Sequence, residues 1–187
     1  QARNMTMKGV DLPSWIWVMG GVVIASILII FGLNMMLRFQ ESNQKIFSIE
    51  AYNNLVDRAN LVCSQSTGNI DYYRISLPDV VRAIYPANFV NEVPPDKVAQ
   101  SITNLDSAKG RYVCMQFFGE TAARCNSVLN CDTTMTYIGT PVQKNDLAAL
   151  IAKLQGRYTK HDYMLLINKT DTRHVDINAA KELIFPR

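Results

Sequence analysis

Paired carboxylates, cysteine pairs at metal-ligand spacing and a glycine-rich phosphate loop are all missing from this chain. Its 187 residues hold two histidines, His161 and His174, and four cysteines, no two of them at CxxC spacing. A zinc site would have to draw on those few residues, so neither metal nor cofactor is expected. Gly20-Gly21 follows Met19 inside a hydrophobic run and reads as helix packing, not as a phosphate cradle. His161-Asp162 looks like half of a catalytic pair, but neighbours on a strand point to opposite faces. Ser64 and Ser66 have no histidine near them in sequence, and the carboxylates stand singly, so no acid/base site can be nominated. An enzyme is not expected. Clustered basic residues are missing too. After Arg38 there are 16 Lys and Arg against 15 Asp and Glu, which is no footprint for nucleic acid. The pI of 8.7 comes mainly from Arg3, Lys8 and Arg38 outweighing Asp11 around the hydrophobic run.

Charge is also missing from Trp15 to Leu37, 23 consecutive positions at which only Ser26 and Asn34 are neither apolar nor glycine. As a helix this run would be roughly 34 Å long, enough for a bilayer core of about 30 Å. It exceeds the hydrophobic region of a signal peptide, which has about 7–15 residues, and is expected to stay in the mature protein. Arg3 and Lys8 before the run favour an inside N-terminus and an outside remainder, although Arg38 follows directly. Trp15 and Trp17 stand where an interfacial aromatic belt belongs. Gly21 and Ala25 form a small-xxx-small pair with Gly32 near the same face, which suits close helix packing. Asn34 lies within a turn of Arg38, at the interface or facing a partner helix.

Glycine and proline are missing from Leu33 to Thr67, so nothing stops the helix where the apolar run ends. Ile46, Ile49, Val56, Ala59 and Cys63 recur at helical steps. The expectation is one helix from Ser14 to Cys63, of about 50 residues and roughly 75 Å, ended by Ser66-Thr67-Gly68-Asn69. The chain then divides into a polar segment 1–13, a long helix 14–63 with a hydrophobic span 15–37, and an α+β head 64–187.

In the head, Asp71 to Leu77, Arg111 to Phe118 and Thr133 to Ile138 read as strands. Tyr163 to Ile167 and His174 to Ile177 read as a hairpin. Pro78-Asp79 and Pro95-Asp96 each look like the opening of a helix, Val80 to Tyr85 and Lys97 to Asn104. Pro86 to Val93 reads as irregular. Lys144 to Leu154 has a helical apolar face of Leu147, Leu150, Ile151 and Leu154, with Gly156 as its cap. Asn178 to Leu183 reads as a last short helix. Closely spaced strands in mixed order imply a small antiparallel-sheet α+β head.

All four cysteines, Cys63, Cys114, Cys125 and Cys131, lie in the head. In an oxidising exterior an even count favours two disulfides over four free thiols. Three connectivities are possible. The short loop favours Cys125–Cys131, leaving Cys63–Cys114. Asn4-Met5-Thr6 and Asn168-Lys169-Thr170 are N-glycosylation sequons; only one can lie outside if the run spans a membrane, and Asn168, in a polar Asn-Lys-Thr-Asp-Thr turn, is the better placed.

A long N-terminal helix, apolar and then amphipathic, beneath a disulfide-stapled α+β head resembles the type IV pilins. Lys8-Gly9 before the apolar run is similar to the processing signal of archaeal pilin-like precursors. The resemblance covers Gln1 to Cys63. It implies a structural subunit of an extracellular, cell-surface pilus-like filament. The apolar helices would lie in the membrane before assembly and afterwards pack as the core of a helical homopolymer. The partner is then the chain itself, with glycans possible on the exposed heads. The alternative is a single-pass, membrane-anchored accessory subunit of a larger membrane complex, with Pro86 to Pro95 suited to docking.

Overall fold

The computed structural model describes residues 14–90, 92, 94, 96–141, 151–152, 155 and 158–180. Asn4, Lys8-Gly9, Gly156 and Lys181 to Leu183 lie outside these residues. So does the expected helix Lys144 to Leu154, except for Ile151 and Ala152, which are helical. The chain divides into two compact units, Gln1–Arg38 and Phe39–Arg187. One helix, α1, Ser14–Ser64, has residues in both. Its 51 residues match the expectation drawn from the missing glycines and prolines.

Within the second unit α1 buries one stripe: Ser48, Tyr52, Leu55, Val56, Ala59, Val62 and Cys63. These positions recur at three- and four-residue steps, the spacing of one helix face. The strands are β1 (Ile70–Pro78), β2 (Val81–Ala87), β3 (Ser107–Gly110), β4 (Tyr112–Phe117), β5 (Arg124–Ser127), β6 (Asp132–Thr136), β7 (Lys160–Asp171) and β8 (His174–Ala180). A short helix, α2, Val98–Asn104, sits between β2 and β3. The fold is α+β, and the strands form two sheets. The larger has the order β1-β7-β8-β6-β3, the smaller β2-β4-β5. All pairings are antiparallel except β6 with β8.

The stripe of α1 enters a core shared by both sheets. Ile75, Leu77, Met135, Leu165, Ile167, Val175 and Ile177 come from the larger sheet, and Val81, Ile84, Val113, Met115 and Phe117 from the smaller. A second core lies on the other side of the small sheet, where Ala83, Tyr85, Ala87 and Cys114 meet Val98 and Ile102 of α2. The bridge Ile84–Ile138 joins the sheets. Gly110 permits close approach of β3 to β2: a Cβ there would lie 2.5 Å from the backbone N and O of Ala87.

Several expectations are corrected. Val80 to Tyr85 is not a helix. Asp79-Val80 is the turn of a β1–β2 connection, and β2 is buried on both faces, which removes the alternation that marks a strand. Pro86 and Ala87 continue β2 and are not irregular. Asn178 to Ala180 continue β8 and are not helical, because they pair with Leu166, Leu165 and Met164 of β7. β3 and β5 were not expected; each has only four residues, at a sheet edge, and none of them is a large apolar residue.

Candidate functional site: the apolar helix segment and the stapled head

In the first unit every residue from Trp15 to Met36 is exposed. The helix is long and apolar enough to cross a membrane, with a mean hydropathy of 2.6 over its most apolar window. Trp17, Val18 and Met19 are each more than 60% exposed. Successive helical residues are turned by about 100°, so these three already face three different sides. An apolar surface that goes all the way round a helix is stable only against lipid or other apolar helices. Ser26 does not break this character, because its hydroxyl donates to the Val22 carbonyl at 2.8 Å. Gly21 and Gly32 are not required by the chain's own packing: a Cβ at either would meet nothing within 4 Å. Ala25 is exposed beside them.

In the second unit α1 is tied down along its length. Lys45 Nζ donates to Glu120 Oε1 at 2.9 Å and stands 5.6 Å from the Phe117 ring centre. That bond to Glu120 raises the lysine's pKa above its ordinary value. The Tyr52 hydroxyl donates to the Val113 carbonyl at 2.6 Å, and Tyr73 to the Ala51 carbonyl at 3.0 Å. Burial drives the Tyr52 phenol well above the usual range. Arg58 pairs with Asp71 at 2.8 Å and lies over the Tyr73 ring. Asn60 Oδ1 accepts the Leu129 N–H at 2.7 Å.

The helix end is closed by two contacts that the sequence did not disclose. Cys63 is bonded to Cys131, and Cys114 to Cys125. The expected pairs, Cys125–Cys131 and Cys63–Cys114, are therefore corrected. Cys114 and Cys125 are direct partners across β4 and β5, so that strand register fixes their bond. The β5–β6 turn carries Cys131 to the end of α1. The other contact is Lys169, 8% exposed, whose ammonium donates to the carbonyls of Cys63 and Gln65, each at 2.6 Å. These carbonyls lie at and just past the C-terminal end of α1, where a cation also meets the negative end of the helix dipole.

Lys169 also decides where Asn168 lies. Asn168 was expected in a turn. It lies instead within β7, between Ile70 of β1 and Asp176 of β8, half-buried. The turn comes later, at Thr172-Arg173, where Asp171 Oδ1 accepts the Thr172 N–H.

One cluster has the residue types of a catalytic triad. Thr134 Oγ1 is 2.7 Å from His174 Nε2, and Asp176 Oδ1 is 3.1 Å from the same nitrogen. A triad needs the carboxylate on the other ring nitrogen, so that the base can take the hydroxyl proton while the acid orients it. Here both groups lie against Nε2, which is not the arrangement of a triad. His161 and Asp162 open β7; Asp162 Oδ2 accepts from Arg74 at 3.0 Å, and bonds from Ser76 and then Arg74 lower its pKa. Among the described residues no three His, Cys, Asp or Glu side chains are grouped to hold a metal. Comparison of the chain with protein-family models, with curated proteins and with solved structures finds no match.

Proposed function

We propose that the chain is the repeating subunit of an extracellular type IV pilus-like filament. One observation carries this reading: a single helix of 51 residues is apolar on every side in its first half and is the core helix of a disulfide-stapled α+β head in its second. Before assembly, lipid would cover Trp15 to Leu37, with the N-terminus inside and the head outside. In the filament, the same segments of neighbouring copies would cover one another. Lipid tails and leucine side chains are about equally apolar, so the exchange is governed by packing and not by a new hydrophobic gain. Gly21, Ala25 and Gly32 give neighbouring backbones room to approach.

Gly21→Leu and Ala25→Leu test the reading. Overpacking a close helix contact costs about 1–3 kcal/mol at each site and recurs in every subunit. The head should keep both disulfides and its melting temperature, while filaments sheared from cells disappear from electron micrographs. If the unaltered protein remains in detergent-solubilised membranes as one copy beside unlike subunits, the filament reading fails. It then gives way to a single-pass accessory subunit.

A further inference from the structure

We infer that the end of the head where α1 terminates carries a binding cleft for a carboxylated sugar. The cleft has a volume of about 380 Å³ and is bordered by Arg111, Tyr112, Ser127, Asn130, Asp132 and Arg173. Ligand pockets run from about 300 to about 1,000 Å³, so this is a small one. Its place follows from the contacts of α1. Lys45 pairs with Glu120, whereas Cys63 is bonded to Cys131, which lines the cleft. The intervening helix puts the cleft about 27 Å along α1 from the Lys45–Glu120 pair.

Both arginines are available to a ligand. Arg173, in the β7–β8 turn, is exposed and makes no side-chain hydrogen bond or ion pair among the described residues. Arg111 Nε is 4.0 Å from Asp132, and both side chains are more than 60% exposed, a loose pair that leaves most of the guanidinium free. The backbone beneath them is fixed. The Asp132 N–H donates to the Arg173 carbonyl at 2.8 Å, and the Arg111 N–H to the Ala87 carbonyl at 2.8 Å. The Cys63–Cys131 disulfide holds the turn that bears Asn130. Such anchoring reduces the ordering cost of binding.

The mixture of groups selects the ligand class. Guanidinium forks recognise carboxylates through paired hydrogen bonds. A bare anion would leave Asp132, Ser127 and Asn130 without a role. A uronic-acid ring supplies a carboxylate for the arginines and hydroxyls for Asp132, Ser127 and Asn130. The open, polar border suits a chain of such rings better than an apolar ligand. This inference does not rest on the filament reading, since a singly anchored head would present the same cleft.

The test is a titration of the full chain in detergent micelles, disulfides intact, with an oligosaccharide of alternating glucuronic acid and N-acetylglucosamine. A neutral N-acetylglucosamine oligosaccharide, a polyglutamate peptide and inorganic phosphate are run alongside. Saturable binding of the acidic saccharide alone is expected. Arg173→Gln and Arg111→Gln should each weaken it about tenfold, as expected for loss of charge-assisted hydrogen bonds, while Arg124→Gln on β5 leaves it unchanged. Unchanged near-ultraviolet circular dichroism checks that the variants are folded. Absence of saturable binding, equal binding of polyglutamate or phosphate, or full binding by the Arg111→Gln/Arg173→Gln double variant each overturns the proposal.

Discussion

Replacing Lys169 with methionine tests how the end of α1 is held. The side chain keeps its length and its apolar stem but loses the ammonium that donates to the carbonyls of Cys63 and Gln65 at 2.6 Å. Hydrogen bonds from a charged donor contribute about 1.5–3 kcal/mol each. A cation near a helix C-terminus adds about 0.3–1 kcal/mol. Against this stands the desolvation of an ammonium that is 8% exposed, several kcal/mol that methionine does not incur. The variant is left with two carbonyls to satisfy. Gln65 is half-exposed and its carbonyl can turn to water, so one unsatisfied acceptor remains, at about 1–3 kcal/mol. We expect a net loss of about 2–3 kcal/mol, read as a fall of about 1–2 M in the urea midpoint of the full chain in micelles. Amide exchange should rise at residues 61–65 before it rises elsewhere. Thr170→Ala, at the exposed neighbouring position, should stay within about 0.5 kcal/mol of the unaltered protein. If Lys169→Met is as stable as the parent or more so, desolvation outweighs the bonds. The lysine would then not be what holds the helix end.

Two further predictions concern the head. The Cys63–Cys131 bond closes a span of 68 residues and Cys114–Cys125 one of 11. Chain entropy assigns these about 4 and about 3 kcal/mol, so urea unfolding of the paired Ser variants should show the greater loss for Cys63/Cys131, and the reverse order would refute that account. Alkaline pH should destabilise the fold. Burial holds the Tyr52 phenol well above its ordinary value and, with Glu92 nearby, pushes Tyr85 up to about 12. Unfolded tyrosines ionise first, so the contribution of each is whole below about pH 10 and declines by about 1.4 kcal/mol per pH unit above it, until the folded phenol titrates. A stability that is flat between about pH 9 and 11, or Tyr52→Phe with an undiminished slope, would refute this.

What could be read in the sequence was whatever local composition controls. The reach of α1 follows from residues that are missing, and α2, β1, β4 and β6 were found within a residue or two of their ends. β2 could not be read, because Val81 and Ile84 face one core while Ala83 and Tyr85 face another, and a strand buried on both sides has no period of two. The disulfides could not be read either. Cys125 and Cys131 are near in sequence, but the register of β4 against β5 places Cys125 opposite Cys114, and register is a tertiary fact. Asn168-Lys169-Thr170-Asp171 has the composition of a turn. It stays extended because a buried ammonium at Lys169 finds its acceptors on a helix more than 100 positions earlier. The cleft at the head's end joins residues from the β3–β4 junction, the β5–β6 turn and the β7–β8 turn, which no single stretch of sequence displays.

The strand order bears on how the head is made. In the larger sheet, β7 and β8 occupy the second and third places, between β1 on one side and β6 with β3 on the other. As the polypeptide emerges from a ribosome or a translocon, β1 has no partner, and the β3–β6 pair has one bare edge, until residues 160–180 arrive. The parallel match of β6 to β8 can form only once residues 174–177 have been made. Quality control would therefore meet a head with an open centre for most of its synthesis. A stop codon between residues 137 and 159 would leave both flanks without their central partners.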